Sequence, residues 1–281
     1  MHHNSGIGPY QELYIYYLNG RLRPENRIFQ ENFIGNWEEE NDSILFFSSA
    51  ADRQIESLLH RQPQLHYADR YHMTYHQWLG EKINTFEHGN FRITPPWEAR
   101  EASAGAYSAK LAIMLDPGLV FGTGSHPTTR DCLDALELAA ATVPLATVLD
   151  LGTGTGLLAL AAARLGSRRI VGVDLNLLAA RTARNNVGLN QLEDRVVIVQ
   201  GRAEDMIALS ADLVIANIHY DVMQHLIHSR GFLAKKHFIL SGLMRSEAKD
   251  VAERLARQPV KILKQWSQEG IWHTFYGKTE R

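Results

Sequence analysis

Carboxylates at three places and one amide stand where apolar runs of this sequence give way to loops. Asp150 ends TVLD and precedes LGTGTG, with glycines at 152, 154 and 156; Asp174 ends RIVGVD, twenty residues after Gly154; Glu204 and Asp205 follow RVVIVQG; Asn217 ends ADLVIA. Glycines at alternate positions permit a sharp turn and a close approach of backbone to a ligand. The dinucleotide fingerprint G-x-G-x-x-G needs glycine at position 157, where Leu157 stands. A carboxylate directly before the loop, Asp150, repels a pyrophosphate and favours a cation. Asp174 lies at the spacing from which an acid reaches the hydroxyls of a nucleoside ribose, and its two oxygens can accept from both. Glu204 or Asp205 can accept from an adenine amino group, and Ala203 or Met206 can offer the ring a backbone contact. S-adenosyl-L-methionine (SAM) carries a sulfonium, an ammonium and two ribose hydroxyls, and no phosphate; its spent form is S-adenosyl-L-homocysteine (SAH). The loop Gly152-Thr153-Gly154, with Gly156, Asp150, Asp174 and the acid at 204 or 205, is therefore the predicted SAM site. Each piece alone is also compatible with a tight turn or a helix cap; their order after successive strands favours the ligand.

The amide belongs to the reacting end. Asn217 is followed by Ile218, His219 and Tyr220. An Asn side-chain oxygen and the next backbone carbonyl are two fixed acceptors that can hold the N–H groups of an amine. Methyl transfer is an in-line displacement, so such positioning is a large part of catalysis. The competing expectation is that Asn217 merely caps the helix that begins at DVMQHLI. An aliphatic amine with a pKa of ~10.4 must also lose a proton before it attacks. His219, Tyr220 or His126 could relay that proton, or solvent alone could take it.

These residues need a frame that brings strand ends together. From about residue 108 strand-like and helical stretches alternate: TRDCLDALELAAA (helix), TVLDLG (strand), LLALAAARLG (helix), RIVGVDL (strand), LLAARTARNNVGL (helix), RVVIVQG and ADLVIANI (strands), VMQHLIHSRGFL (helix), HFILSGL (strand) and SEAKDVAERLARQ (helix). The chain closes with VKILKQWSQEGIWHTFYGK, two strands around Gln268-Glu269-Gly270. This rhythm predicts an α/β, mostly parallel, doubly wound Rossmann-like sheet with a terminal antiparallel hairpin. Ahead of it, ELYIYYLNG predicts a strand, NFIGNWEEENDSILFFSS a hairpin and ADRQIESLLHRQ a helix, together a small α+β unit. The stretch 63–100 reads as a connector, with a short helix at TYHQWLGEKI and a strand FRIT stopped by Pro95-Pro96.

Composition narrows the classes. The 281 residues carry a formal net charge of −2 and are 45% hydrophobic and 21% charged, which gives no global basic field for nucleic acid. No apolar run approaches the ~20 residues of a membrane span, and MHHNSGIGPYQ lacks the pattern of a signal peptide. Cys132 is the only cysteine, so neither an internal disulfide nor a cysteine zinc site is expected. The expectation is a cytoplasmic monomer without membrane association. His72/His76 and His225/His228 have helix-face spacing, but no third ligand converges, and no metal is expected.

The segments DPGLVFGTGSHPTTRDCLDAL, VLDLGTGTGLLALAA, DLVIANI and FILSGL together resemble the ribosomal protein L11 methyltransferases. The similarity runs from about Phe91 to Lys278, includes PPWE and EGIWHTFYG, and reaches more faintly into IGNWEEENDSILFF. The resemblance implies a class I SAM-dependent methyltransferase acting on lysine and N-terminal amino groups, with L11 as partner and no direct nucleic-acid binding required. It implies residues 1–65 as a substrate-recognition domain, 66–100 as a helical linker on which that domain swings, and 101–281 as the methyltransferase domain. Carried over by position, Gly152, Gly154 and Asp174 belong to the SAM site. Thr123, His126 and Thr128 belong to a family loop near the methionine end, and Asn217 and Ile218 hold the target amine. The segment at Asn217 departs from the Asn-Pro-Pro-aromatic pattern of amino-group methyltransferases, with Ile218 and His219 in place of the prolines and Tyr220 keeping the aromatic. Another small protein, or an amino group of a nucleic acid or small molecule, is the alternative substrate. The earlier Gly-Thr-Gly, residues 122–124, precedes a helix start marked by Ser125 and Pro127. That helix N-terminus is expected to face the methionine carboxylate.

Overall fold

The computed structural model describes residues 10–23, 31–39, 41–80, 83–99 and 110–280. The first unit is a four-stranded antiparallel sheet of β1 (Glu12–Asn19), β2 (Phe33–Glu39), β3 (Asp42–Phe47) and β4 (His66–Thr74), in the order β2-β3-β1-β4. Helix α1 (Asp52–Arg61) covers one face, where Ile55 and Leu58 meet Tyr16, Leu18, Leu45 and Phe47. The other face, with Leu13, Ile15, Ile34 and Phe46, packs on Leu119 and Leu178. Burial on both faces is why ELYIYYLN is apolar nearly throughout rather than alternating.

Strand β4 falls within the stretch read as a connector. It pairs with β1 from Glu12↔Thr74 to Asn19↔His66. Its first seven residues are exposed, as befits an edge strand paired on one side only. Pairing there is carried by backbone groups, and HYADRYHMT shows no apolar period that would announce it. Thr74 then starts α2 (Tyr75–Leu79) with a capping box: its hydroxyl accepts from Gln77 N at 3.2 Å, and Gln77 Oε1 accepts from Thr74 N at 2.8 Å. A small sheet of β5 (Phe86–His88), β6 (Phe91–Thr94) and β7 (Leu111–Met114) follows, and β6 stops at the proline pair.

The second unit is built on β8 (Thr147–Leu151), β9 (Arg169–Asp174), β10 (Val196–Gln200), β11 (Leu213–Asn217), β12 (His237–Met244), β13 (Val260–Gln268) and β14 (Trp272–Thr279). Their order is β10-β9-β8-β11-β12-β14-β13. Strands β8 to β12 are parallel, and β14 runs antiparallel to both its neighbours. Three helices pack on one face: α3 (Pro127–Thr142), α4 (Leu157–Arg164) and α5 (Leu177–Leu189). On the other lie α6 (Ala203–Met206), α7 (Tyr220–Leu226), α8 (Arg230–Leu233) and α9 (Arg245–Leu255). This is the doubly wound sheet with a terminal antiparallel hairpin that the sequence predicts.

One predicted helix, VMQHLIHSRGFL, is two. Ser229 interrupts it: its hydroxyl donates to Leu226 O at 2.7 Å and accepts from Phe232 N at 3.1 Å, ending α7 and starting α8. Among the described residues no helix is long and apolar enough to cross a membrane.

Candidate active site

The strand order sets the carboxyl ends of β9, β8 and β11 side by side. Chain direction across the sheet reverses between β8 and β11, which opens a crevice above those ends. The loop after β8 forms its floor. Gly152, Gly154 and Gly156 have φ of 72°, 55° and 85°, a region closed to most side chains. A Cβ on Gly152 would collide with Ile218, and one on Gly154 with the Phe121 carbonyl. Every N–H of the loop is used internally. Gly152 N and Thr153 N donate to Val173 O (2.8 and 2.9 Å), Gly154 N to Asp174 Oδ2 (2.9 Å), Thr155 N to Phe121 O (3.2 Å) and Gly156 N to Thr153 O (2.8 Å). A phosphate-binding loop points its N–H groups at the anion; this one has none to point.

Asp150 sits beneath the loop, 1% exposed, and accepts from Thr153 Oγ1 at 2.6 Å. Burial pushes its carboxyl up to about 6, against the opposing pull of the Thr153 hydroxyl. Gly172 on β9 makes room for Thr153, whose Oγ1 would lie 2.9 Å from a Cβ there. Asp174, at the end of β9, takes Gly154 N on one oxygen and Asn176 N on the other, both at 2.9 Å. Burial raises its pKa, and these two N–H groups oppose the rise. Each oxygen keeps acceptor capacity for a ribose hydroxyl. Beyond β10, Glu204 pairs with Arg202 at 2.8 Å, while Asp205 is exposed on the first turn of α6. The Met206 side chain lies 3.2 Å from where a Gly201 Cβ would be, beside Val173, and so forms an apolar wall on that side.

The two Gly-Thr-Gly loops are joined to each other. Thr155 Oγ1 donates to Gly122 O at 2.6 Å, next to the Thr155 N bond to Phe121 O. Asn186, fully buried on α5, fastens both: its Nδ2 donates to Asp116 O and Thr155 O (each 2.8 Å), and its Oδ1 accepts from Asp116 N at 2.8 Å. One helical turn on, Asn190 takes Met114 N on Oδ1 (3.0 Å) and donates Nδ2 to Met114 O (2.6 Å). Neither Asn186 nor Asn190 is among the residues expected from sequence. The i, i+4 pair in ARNNVGLN was their signal, since polar amides on an otherwise buried helix face need partners.

The helix after the first loop begins one residue later than its sequence marker suggests. His126, not Ser125, is the N-cap of α3, with Pro127 in the first turn. The first-turn N–H groups are engaged: Thr128 N by His126 Nδ1 (3.3 Å), Thr129 N and Arg130 N by His126 O (3.1 and 3.3 Å). A methionine carboxylate at this helix start would share N–H groups that already have internal partners. Thr123 bonds Ser125 within the same loop, Oγ to Oγ at 2.9 Å.

His126, Thr128 and Asn217 form a chain. His126 Nδ1 accepts from Thr128 N, so it carries no proton, and the Thr128 hydroxyl 2.7 Å away must donate to it. The Thr128 oxygen then accepts Asn217 Nδ2–H at 3.4 Å. This fixes the amide with Oδ1 turned away from α3. Asn217 caps no helix; the N-cap of α7 is His219, whose side chain makes no capping bond. Asn217 Oδ1 and Ile218 O converge over Gly242, each 3.0 Å from where its Cβ would be. With φ of 83°, Gly242 is a further site residue, signalled by a lone glycine inside the strand HFILSGLM.

Of the three proton relays considered, Tyr220 turns its hydroxyl to Asp250 Oδ2 at 2.5 Å, and His219 is exposed. His126 lies between Phe121 and Trp272, ring centroids 5.3 and 5.0 Å away, and burial lowers its pKa. Among the other histidines, His72 stacks on Tyr14 and pairs with Glu12, and His228 meets Arg254 and Gln258.

The arrangement suits a cationic nucleoside: a carboxylate with acceptor capacity at the end of β9, a buried acid under the loop, glycines at positive φ in the turn, and no unengaged N–H between 152 and 156 for a phosphate. Beside it stand two acceptor oxygens, Asn217 Oδ1 and Ile218 O, that converge over Gly242. Comparison with known proteins agrees. A ribosomal protein L11 methyltransferase from Anoxybacillus flavithermus is 36% identical over 192 residues, 68% of this chain and 60% of that protein. One from Desulfitobacterium hafniense is 37% identical over 183 residues, 64% of this chain and 56% of that protein. The chain thus matches less than two thirds of the length of these curated relatives. A crystal structure described as ribosomal protein L11 methylase from Lactobacillus delbrueckii subsp. bulgaricus superimposes with a TM-score of 0.61 at 26% identity, covering 70% of this chain and all of that one. A human methyltransferase 10 domain containing protein shares the fold, with a TM-score of 0.50 at 16% identity over 60% of this chain and 90% of that one. The family profile described as Ribosomal protein L11 methyltransferase (PrmA) matches residues 26–280, and with site, fold and match in agreement the chain belongs to that family.

Proposed function

We propose that this protein transfers methyl groups from SAM to amino groups of a protein, lysine side chains or the N-terminal amine, and that the protein is ribosomal protein L11. The observation that carries the cofactor reading is the glycine loop, whose N–H groups from 152 to 156 are all engaged internally above a buried Asp150. Such a loop offers a pyrophosphate no donors between 152 and 156 and tolerates a cation. The names of the curated relatives support L11 as the acceptor. A net charge of −2 gives no global basic field for nucleic acid, in keeping with a protein acceptor.

When bound, SAM supplies an electrophilic methyl on a sulfonium. The chain's own residues do the positioning. Asp174 accepts from the ribose hydroxyls, and Glu204 or Asp205 and the Met206 wall face the adenine. Asn217 Oδ1 and Ile218 O accept from the N–H groups of the amine, which directs its lone pair away from them. Withdrawal of the amine from water in the complex would favour the neutral amine over its ammonium form. His126, held neutral by burial, keeps Thr128 turned so that Asn217 presents its oxygen and not its nitrogen.

Calorimetry separates this reading from a dinucleotide enzyme on the same fold. SAH is expected to bind with one-site stoichiometry and NAD not to bind. Tight NAD binding without SAH binding would overturn the proposal.

A further inference from the structure

The N-terminal sheet meets the second unit at the two ends of the cofactor cradle. At the ribose end, Asn176 Nδ2 donates to Asn36 O on β2 at 3.2 Å. The same Asn176 donates its N–H to Asp174 and caps α5, accepting from Leu178 N at 2.7 Å. Gly35, adjacent on β2, lets Leu178 approach to 2.9 Å from where its Cβ would be. At the other end, Trp37 Nε1 donates to Leu119 O at 3.0 Å, and Tyr75 OH donates to Gly118 O at 2.8 Å. Two residues beyond Leu119, the Phe121 carbonyl accepts from Thr155 N of the glycine loop. Between these junctions Leu13, Ile15, Phe46, Tyr75, Leu119 and Leu178 are buried together.

That burial opposes free movement of the sheet. Swinging it away would expose an apolar face from each side, at ~1.5–3 kcal/mol for each large side chain. The resemblance to the family implies a domain that moves on a linker; in this chain the sheet is docked.

We propose that Trp37 and Asn36 are positioning residues for the cofactor site, so that docking of the N-terminal sheet and binding of the methyl donor strengthen each other. The sheet braces the cap that aims Asp174 and the segment that seats the first Gly-Thr-Gly loop on the second. By linkage, bound cofactor in turn holds the sheet in place. A protein substrate engaging the sheet would thereby act on a site that already holds its donor. The inference rests on the SAM reading above.

The test is calorimetric titration of SAH into the full chain carrying Trp37→Phe, Tyr75→Phe or Tyr16→Phe. Tyr75→Phe deletes only a junction hydrogen bond, and Trp37→Phe deletes one together with part of the indole ring. The third deletes the bond from Ala51 N to Tyr16 on the opposite face of the same sheet, and so controls for loss of stability alone. Trp37→Phe and Tyr75→Phe are expected to weaken SAH by roughly three- to tenfold, as loss of one hydrogen bond allows, while Tyr16→Phe binds as wild type does. Equal affinity in all four proteins, or equal weakening in all three variants, would overturn the inference. Absence of SAH binding by the wild type would instead overturn the SAM reading. Hydrogen exchange on the wild type alone gives a second measure: SAH is expected to slow exchange of the β2 amides, and unchanged exchange there would also contradict the coupling.

Discussion

At the scale of single residues, the proposed reaction requires that Asn217 present Oδ1 and not Nδ2 to the amine. The Thr128 hydroxyl decides this, because it accepts the amide N–H only while donating to His126. Replacing Thr128 with Val removes the hydroxyl at similar volume. Turnover is expected to fall on the order of tenfold with SAH affinity unchanged, and Thr128→Ser to recover most of it; steady-state rates on a protein acceptor beside calorimetry check this. Asp150 gives a prediction in pH. Its carboxyl is raised from 3.8 to about 6 by burial, so between those values the folded state holds a proton that the unfolded chain has released. Stability from this group therefore declines as pH rises from about 4 to 6, by up to ~3 kcal/mol for a shift of that size. Asp150→Asn is expected to flatten that limb of a urea-stability profile against pH. A variant profile parallel to wild type would show that Asp150 is not the titrating group.

At the scale of elements, two helix asparagines and one strand glycine hold the loops in place. Asn186→Leu leaves Asp116 N, Asp116 O and Thr155 O without their partner. It is expected to destabilise the protein by about 3 kcal/mol in chemical denaturation and to weaken SAH, since both Gly-Thr-Gly loops lose their common tie. Gly242→Ala forces a side chain between Asn217 Oδ1 and Ile218 O at a φ of 83°; turnover is expected to fall at least tenfold with SAH binding retained.

These elements also show what the sequence discloses. The strands of the central sheet are legible because burial on both faces makes them short apolar runs, and the acids and Asn217 are legible because they interrupt those runs at the ligand end. Strand β4 is not, because an exposed edge strand has no burial pattern. The split of α7 from α8 turns on one serine hydroxyl that is indistinguishable in sequence from a solvated one. The roles of Asn186, Asn190 and Gly242 depend on partners distant in the chain, so local reading sees only polar residues in a helix and a weak point in a strand.

At the scale of the whole molecule, a small sheet, covered by α1 on one face, packs its other face on Leu119 and Leu178 of a methyltransferase fold. The central claim is that the amine placed between Asn217 and Ile218 comes from ribosomal protein L11. The most direct measurement incubates the full chain with methyl-labelled SAM and purified L11, then locates the label by mass spectrometry of L11 peptides. Wild type is expected to label lysine side chains or the N-terminal amine of L11. Asn217→Ala is expected to bind SAH normally and transfer label at least a hundredfold more slowly, on the order of what lost positioning costs. An L11 that stays unlabelled while another protein accepts the methyl, or an Asn217→Ala variant that labels L11 at the wild-type rate, would contradict the account.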